Sequence, residues 1–140
     1  MPAGDRLIVE SVYVSWEAGD LPAMLRCFAN DIKFAVHHSG VATFIGEGQG
    51  KAQLAERLGR FLLEYDVVDY GTTQIYENDG VVDCRVRYEY RHRMTGMEID
   101  GTMRHIWRVV DGKIVSFEVI HDAQRMSAFF ELAARACSSA

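Results

Sequence analysis

The residues from 84 to 94 alternate strictly between two chemical characters. The even positions are mostly apolar or aromatic, and the odd positions hold four arginines and a glutamate. This period of two predicts a β-strand with one buried and one solvated face. The buried set is Cys84, Val86, Tyr88, Tyr90 and His92, and the solvated set is Arg85, Arg87, Glu89, Arg91 and Arg93.

Two glycine turns follow this strand and predict which residues face one another. Thr95 and Gly96 indicate a tight turn because glycine tolerates positive φ. Asp111 and Gly112 form one of the strongest short hairpin signals. Because a β-bulge would move every later residue to the other face, the register assumes regular strands. The predicted pairs are Met94–Met97, Arg93–Glu98, Arg91–Asp100, Tyr90–Gly101, Tyr88–Met103, Val86–His105, Trp107–Ser116, His105–Glu118 and Gly101–Asp122.

In this register His105, Glu118 and Asp122 share one otherwise apolar face. Three ionisable groups are costly to bury there, which favours a functional role. His105 and Glu118 are either an imidazole held in one tautomer by a carboxylate, acting as general acid or base, or a buried polar pair that only satisfies itself. Asp122 either transfers a proton or caps the closing helix, and the two roles can coexist.

Several residues are candidates for substrate contacts. Tyrosines on the apolar face can donate hydrogen bonds to a ligand carbonyl, although such tyrosines are more often core residues. Tyr13 and Trp16 lie on the apolar stripe of the first helix and either line the mouth of a pocket or belong to the core. The full set of candidates is Tyr13, Trp16, His37, Tyr88, Tyr90, Met103 and Trp107.

No metal site or cofactor is expected. His37 and His38 are adjacent on a predicted strand, so their side chains should point to opposite faces, and they lack a partner at metal-ligand spacing. The glycines of residues 46–50 surround an acidic residue where a phosphate would bind, which favours a turn and helix entry.

Apolar residues on the opposite face of the sheet indicate a homodimer. The strand register counted from the second turn places four apolar residues on that face, and an apolar patch of this kind usually marks a contact site. The alternative is that the C-terminal segment folds over the patch. Because the nearby arginines face carboxylates at Glu98 and Asp100, a solvated or interface surface is favoured over RNA binding. The patch consists of Ile106, Val115, Phe117 and Val119.

Length and composition limit the classes of protein that remain. The 140 residues, 49% of them hydrophobic, suit a single domain spanning residues 1–140. A net charge of −5 argues against nucleic-acid binding, and no apolar run approaches the roughly 20 residues of a membrane span. The start of the chain has no signal-peptide pattern, and Cys27, Cys84 and Cys137 show no paired spacing, so a reducing cytoplasm is expected.

The order of the predicted elements indicates an α+β fold. An antiparallel meander follows a helix pair, a strand and a third helix. A sheet with one apolar face would curl around the three helices into a cone, and such a cone commonly encloses a ligand cavity. The expected helices cover residues 5–18, 21–29, 51–65 and a short closing helix at 125–136, and the expected strands outside the meander cover residues 32–38, 44–45 and 67–76.

Short motifs along nearly the whole chain resemble one protein group. They are Ala-Gly-Asp-Leu at 18–21, Phe-Ala-Asn-Asp at 28–31, residues 48–51 before the third helix, Asp-Gly-Lys-Ile at 111–114, and His-Asp at 121–122. With these the chain resembles the SnoaL-like polyketide cyclase and ketosteroid isomerase group of the nuclear transport factor 2-like superfamily. The resemblance implies the cone fold, but this fold hosts enzymes, ligand binders and interaction modules alike.

The residues of that group match this chain unevenly. The resemblance implies a proton-transferring role for Asp122, near the end of the last strand, and places His105 where ketosteroid isomerases have an oxyanion-hole acid. The general-base aspartate of those isomerases has no match, since Val36 or His37 stands there. Their oxyanion tyrosine falls on Val12, one residue from Tyr13. A ketosteroid isomerase in the strict sense is therefore not expected.

These observations predict a small, cofactor-free enzyme that acts by acid–base chemistry on a hydrophobic cyclic or carbonyl compound. Asp122 would move a proton, His105 would assist or polarise a carbonyl, and Glu118 would orient His105. The alternative is a non-catalytic module of the same fold that binds a small ligand or dimerises.

Overall fold

The structure is a computed structural model that describes residues 2–37, 46–120 and 123–139. These ranges contain four helices and six strands, in the order expected for an α+β fold. They are α1 (Pro2–Glu17), α2 (Leu21–Leu25), β1 (Phe28–His37), β2 (Glu47–Gln49), α3 (Lys51–Glu64), β3 (Tyr65–Asn78), β4 (Val81–His92), β5 (Glu98–Val110), β6 (Lys113–Ile120) and α4 (Ala123–Ser139).

The six strands form one open, mixed sheet in the order β2-β1-β6-β5-β4-β3. β1 runs parallel to β6, and every other neighbouring pair is antiparallel. One face of the sheet, called the inner face below, packs against the helices: α1 contacts β3 and β4, and α3 contacts β1 and β3. The predicted α+β cone, a curved sheet around three helices followed by a C-terminal helix, is confirmed.

The helices form where the sequence predicts them, with shifted ends. The Asp20 carboxylate accepts a hydrogen bond from the Ala23 amide at 3.1 Å and caps α2 as expected. α2 ends at Leu25 rather than Ala29, because Phe28 already belongs to β1 and is almost fully buried. A short strand, β2, forms within the expected loop at 46–50. The strand expected at 44–45 lies outside the described residues.

The first hairpin is paired two residues away from the predicted register. Arg91 lies opposite Glu98, and the His92 amide donates to the Met97 carbonyl at 2.8 Å. The loop therefore spans residues 93–96 instead of two residues. Because the error is an even number, every side chain stays on its predicted face. Arg93 turns instead to Asp66, at 2.9 Å.

The second hairpin contains a β-bulge, and the predicted register beyond it is wrong by one residue. Val110 faces Lys113 and Val109 faces Ile114, as counted from the turn, but Trp107 then faces Phe117 and Ile106 faces Glu118. His105 lies opposite Val119. The predicted cross-strand pair of His105 with Glu118 is therefore wrong.

The bulge has a clear physical cause. It allows Ile114, Phe117 and Val119 to be buried on the inner face together, while Glu118 stays on the outer face in partial contact with solvent. A regular ladder would bury the Glu118 carboxylate in an apolar core, at a cost that a local irregularity avoids.

The same shift corrects the predicted dimer patch. Phe117 and Val119 are core residues, 7% and 8% exposed, so half of the patch lies inside the protein. Phe117 packs against Trp107, with ring centroids 5.0 Å apart. Of the four residues, Ile106 remains on the outer face and Val115 sits half-buried at the bulge.

Within the described ranges, no helix combines the length and the apolar character that crossing a membrane requires.

Candidate functional site

The inner face of β3, β4 and β5, together with α1, carries a continuous group of buried aromatic side chains, called the inner aromatic cluster below. α1 contributes two of its residues one helical turn apart, and the strands contribute the rest at spacings of two. All are at most 8% exposed. The cluster consists of Tyr13, Trp16, Tyr70, Tyr88, Tyr90, His105 and Trp107.

A hydrogen-bonded chain of three residues lies within this cluster. The Trp107 indole Nε1 donates to the Tyr13 hydroxyl oxygen at 2.8 Å. The same oxygen lies 2.7 Å from Nδ1 of His105. All three side chains are buried, and the two β5 residues point to the same face because they are two positions apart. A helix and a strand far apart in sequence are thus joined by a buried polar chain.

The hydrogen-bond donors and acceptors of Trp107, Tyr13 and His105 favour one tautomer of the histidine ring. An indole N–H can only donate, so it occupies a lone pair of the Tyr13 oxygen and leaves the hydroxyl proton for another acceptor. The nearest strong acceptor is Nδ1 of His105. A ring that accepts at Nδ1 carries its proton on Nε2 when neutral. The arrangement therefore favours His105 as a neutral ring with an Nε2–H donor.

Cys84 lies beside this chain, directly opposite His105 on β4. Burial raises the pKa of the Cys84 thiol to about 11, although a hydrogen bond with Tyr13 acts in the opposite direction. Sulfur is a weak acceptor, so Cys84 competes poorly with the imidazole for the Tyr13 proton. Burial also raises the pKa of Tyr13 well above its ordinary value, and its hydroxyl stays protonated at neutral pH.

The other tyrosines of the cluster form a second polar group. Burial raises the pKa of Tyr70 and of Tyr90, whose ring centroids lie 6.3 Å apart. Tyr88 stacks on Tyr90 with ring centroids 5.2 Å apart. These hydroxyls are neutral donors and acceptors within an aromatic surface.

The structure brings together most of the residues predicted to bind a substrate. Six of the predicted site residues belong to the cluster, and Met103 lies on the same face, half-buried opposite Val86. Glu118 lies on the outer face. His37 ends β1 opposite Ile120, and its side chain lies outside the described residues, as does all of Asp122. The six are Tyr13, Trp16, Tyr88, Tyr90, His105 and Trp107.

Sequence reasoning missed Tyr70 and the true partner of Cys84. A bulge between Val67 and Asp69 moves Tyr70 to the inner face, where regular alternation from Val67 would place it outside. Cys84 was already on the inner face of the pattern, and only the two-residue error in the first hairpin separated it from His105.

His92 is a second buried histidine, at the far end of β4. Its Nδ1 lies 2.8 Å from the Thr95 hydroxyl, and its Nε2 lies 3.7 Å from the Glu64 carboxylate and 4.0 Å from the Cys137 sulfur. These contacts connect α3, the 93–96 loop and α4. Within the described ranges, no group of histidine, cysteine and acidic residues has a geometry that could hold a metal ion.

Solved structures with the same fold support this architecture. An NTF2-like protein from Burkholderia thailandensis is 24% identical, with 89% of this chain and 96% of that chain covered and a TM-score of 0.75. A proposed polyketide cyclase from Xanthomonas campestris pv. campestris is 21% identical, with coverages of 91% and 96% and a TM-score of 0.74. TerC, co-crystallised with polyporic acid, is 19% identical, with coverages of 93% and 98% and a TM-score of 0.77.

At these identities the likeness to solved structures establishes the fold alone. No curated protein sequence matches this one at a significant level. The family model of the SnoaL-like domain, however, matches residues 9–117, which is most of the chain. The chain therefore belongs to the SnoaL-like domain family, within the nuclear transport factor 2-like fold.

Proposed function

We propose that this protein is a small enzyme that uses acid–base chemistry, without a cofactor, on a hydrophobic cyclic or carbonyl compound bound at the inner aromatic cluster. The observation that carries the proposal is the buried chain from Trp107 through Tyr13 to His105. A buried imidazole held by neutral donors on an aromatic surface suits the polarisation of a carbonyl in a site of low dielectric.

The roles differ from those that the sequence pattern predicts. Asp122, two residues after the end of β6 in the sequence, takes a proton from the carbon next to the carbonyl. The electron pair of that C–H bond moves into the carbonyl, and the developing oxyanion is stabilised by the Nε2–H of His105. Tyr13, rather than Glu118, orients the imidazole through Nδ1. Return of the proton to the same or another carbon completes exchange or isomerisation.

The chemistry of the inner face supports a neutral, ring-shaped substrate. Among the described residues, no carboxylate, lysine or arginine is buried, and the buried polar side chains apart from tyrosine, tryptophan and cysteine are His92 and His105. Aromatic faces stack favourably on flat rings, and hydroxyls within them fix orientation. Polyporic acid, the compound co-crystallised with TerC, is a second binding probe, which differs from the expected substrate in being an acid.

A non-catalytic binding module of the same fold is the second candidate. The raised pKa values of Tyr13, Tyr70 and Tyr90 favour it, because hydroxyls that hold their protons recognise a ligand without transferring a proton to it.

Deuterium exchange separates the two candidates without knowledge of the natural substrate. The protein is incubated in D2O with a panel of cyclic ketones, and deuterium uptake next to the carbonyl is followed by mass spectrometry. We expect uptake above buffer for at least one ketone, and a loss of roughly a hundredfold or more in His105→Gln and Asp122→Asn. Tyr76→Phe, at an exposed tyrosine, is the control and should exchange like wild type. Binding of ketones or polyporic acid without exchange would support the binding module.

The histidine tautomer has its own test. Long-range proton–nitrogen NMR correlations distinguish a ring protonated at Nε2 from one protonated at Nδ1. We expect His105 to show the Nε2–H pattern at neutral pH and Trp107→Phe to shift the balance between tautomers. An Nδ1–H pattern in the wild type would make Tyr13 the acceptor and remove the proposed carbonyl-polarising role.

A homodimer through the outer face of the sheet is also proposed, although not through the patch predicted from the sequence. Ile106 is half-buried there, and Ile120 is 38% exposed in the same region. The C-terminal helix α4 packs Phe129 against Tyr65 in the core. Sedimentation equilibrium at micromolar concentration should show a dimer, and Ile106→Glu should weaken it.

A further inference from the structure

The two tryptophans of the chain both lie in the inner aromatic cluster, but their indole N–H groups differ. Nε1 of Trp107 donates to the Tyr13 hydroxyl oxygen at 2.8 Å. Nε1 of Trp16 is also enclosed by protein, yet among residues 2–37, 46–120 and 123–139 no acceptor is hydrogen-bonded to it. The two side chains are equally buried, at 5% and 3% exposed, so burial does not account for the difference.

An unpaired N–H group in the core is unfavourable. An indole nitrogen can only donate a hydrogen bond, so a neighbouring N–H group cannot satisfy it. Nearly all buried donors in folded proteins have a partner, because an unpaired donor loses the hydrogen bond that water gives it in the unfolded chain. The Nε1–H group of Trp16 is therefore a donor that a bound molecule can satisfy.

The surroundings of Trp16 are aromatic. Its ring stacks on Phe61 with centroids 6.0 Å apart and meets Tyr70 edge-on at 6.4 Å. Burial keeps the Tyr70 hydroxyl protonated at neutral pH, since it raises the pKa of that group. An ionised acceptor would lose its hydration here without meeting a cation, so the chemistry of these neighbours favours a neutral oxygen.

The position of Trp16 on α1 relates this donor to the proposed reaction site. Trp16 follows Tyr13 by three residues, and residues at this spacing share one helix face with Cβ atoms roughly 5–6 Å apart. Tyr13 in turn lies 2.7 Å from Nδ1 of His105. The unpaired donor is thus about one helical turn from the group that binds the imidazole, on the scale of a six-membered ring.

We propose that the Nε1–H group of Trp16 binds a second oxygen of the substrate, so that the preferred ligand is a neutral ring with two hydrogen-bond acceptors on opposite sides. The carbonyl beside His105 is the first acceptor, and the oxygen beside Trp16 is the second. This rests on the ligand position proposed above and adds a determinant of specificity. Trp16 orients the ring and takes no part in proton transfer.

Two ketones with the same carbon skeleton provide the binding test. Isophorone has one carbonyl, and 4-oxoisophorone has a second one across the ring. Wild type should bind the diketone about tenfold more tightly, because only the diketone gives the buried N–H group an acceptor. Trp16→Phe should bind both ketones with similar affinity. Isothermal titration calorimetry measures the ratio of the two affinities, which cancels any general loss of binding.

Trp107→Phe is the matched control. It removes the other buried indole N–H group, which already has a partner within the protein. Both affinities should fall, while the preference for the diketone remains about tenfold. Circular dichroism verifies that each variant is folded. Loss of the preference in both variants would show that it reflects general packing of the cluster, and would overturn the role of Trp16.

NMR of the wild-type protein gives a test that needs no variant to fold well. The two tryptophans give two indole N–H signals, which the two Phe variants assign. The diketone should move the Trp16 signal downfield further than isophorone does, and the Trp107 signal should move less. A Trp16 signal that responds equally to both ketones would overturn the proposal. So would a shift of that signal by Tyr90→Phe in the ligand-free protein, because the N–H group would then already have a partner.

These outcomes separate this inference from the proposed function. Equal binding of the two ketones by wild type, together with deuterium exchange next to a carbonyl, would remove the role of Trp16 and leave the acid–base proposal intact. Binding of neither ketone would overturn the role of Trp16, and the exchange experiment would then decide the proposed function independently. The expected preference without any exchange would support the Trp16 contact in a binding module.

Discussion

The two faces of the central sheet achieve stability in opposite ways, although they are made by the same strands. On β5, His105 and Trp107 point inward and join Tyr13 in a buried hydrogen-bonded chain, while Arg104 and Arg108 point outward. Inside, the Trp107 indole, the Tyr13 hydroxyl and Nδ1 of His105 pair with one another because water is excluded. Outside, ion pairs form in water and contribute little. Neighbouring residues of one strand can therefore contribute very differently to stability, depending only on which face of the sheet they lie on.

The comparison between the two faces is tested most strongly by truncating two neighbouring side chains on β6. Phe117→Ala removes a ring packed against Trp107, Phe28 and Phe34 and should lower the free energy of unfolding by about 3–5 kcal/mol. Glu118→Ala, one residue away on the outer face, should change it by less than about 0.5 kcal/mol. Urea denaturation followed by fluorescence measures both. The reverse ranking would mean that the bulge is absent.

Alkaline pH should destabilise the inner face next most strongly. Tyr13, Tyr70 and Tyr90 have pKa values raised by burial, so the unfolded chain ionises near pH 10 while the folded protein does not. Their contribution is complete below pH 10 and is lost as pH rises through the folded-state pKa values. Together, the three tyrosines should lower the free energy of unfolding by on the order of 2–3 kcal/mol by pH 10.5.

Stability measured between pH 8 and 10.5 tests this loss, with tyrosinate absorbance as the second signal. Tyr70→Phe is the control, since it should remove about a third of the pH dependence. A stability profile that is flat to pH 10.5 would show that these hydroxyls reach solvent.

Loss of the Tyr13 hydroxyl should have an intermediate effect. Tyr13→Phe keeps the ring but removes the acceptor of Trp107 and the partner of His105 Nδ1, at a cost of roughly 2 kcal/mol. Tyr76→Phe, on the outer face and 62% exposed, should be neutral. Thermal and urea unfolding compare the two, and equal effects would mean that the buried chain does not contribute to stability.

The smallest effect is expected for the outer-face pair of Asp83 with Arg104. Arg104 lowers the pKa of Asp83, so the pair stabilises the fold above about pH 4 and is lost as pH falls through the lowered value. A double-mutant cycle with Asp83→Asn and Arg104→Met should give a coupling of about 0.2–1 kcal/mol at pH 7, because both groups are partly solvated. A coupling of zero would mean that the ion pairs of the outer face do not contribute measurably to stability.

The register of the second hairpin shows how far sequence reasoning reached and where it failed. Counting from the Asp111 turn placed Phe117 outside and Glu118 inside. The residues between Val115 and Val119 themselves alternate, with apolar groups at 115, 117 and 119, and this pattern favours the arrangement that the structure has. When turn counting and side-chain alternation disagree, burial decides, because an ionised carboxylate is costlier in the core than an irregular ladder.

The candidate site likewise combines features that the sequence predicted with features that it did not. The pattern of β4 and β5 identified the inner face and four of the six predicted side chains in the cluster, since a two-residue error preserves the face. It assigned His105 a partner on the next strand, whereas the partner came from α1, 92 positions earlier in the chain. No local sequence pattern predicts a contact between residues that far apart in the chain.

By itself the sequence determined the order of elements, the family, the α+β cone and the aromatic character of the inner face, because each follows from local periodicity, turn residues and short motifs. Only the tertiary structure decided which residues face each other beyond a bulge and which residue is hydrogen-bonded to Nδ1 of His105. Those outcomes depend on competition between burial, hydrogen-bond satisfaction and regular strand pairing across the whole molecule, and that competition has no local signature.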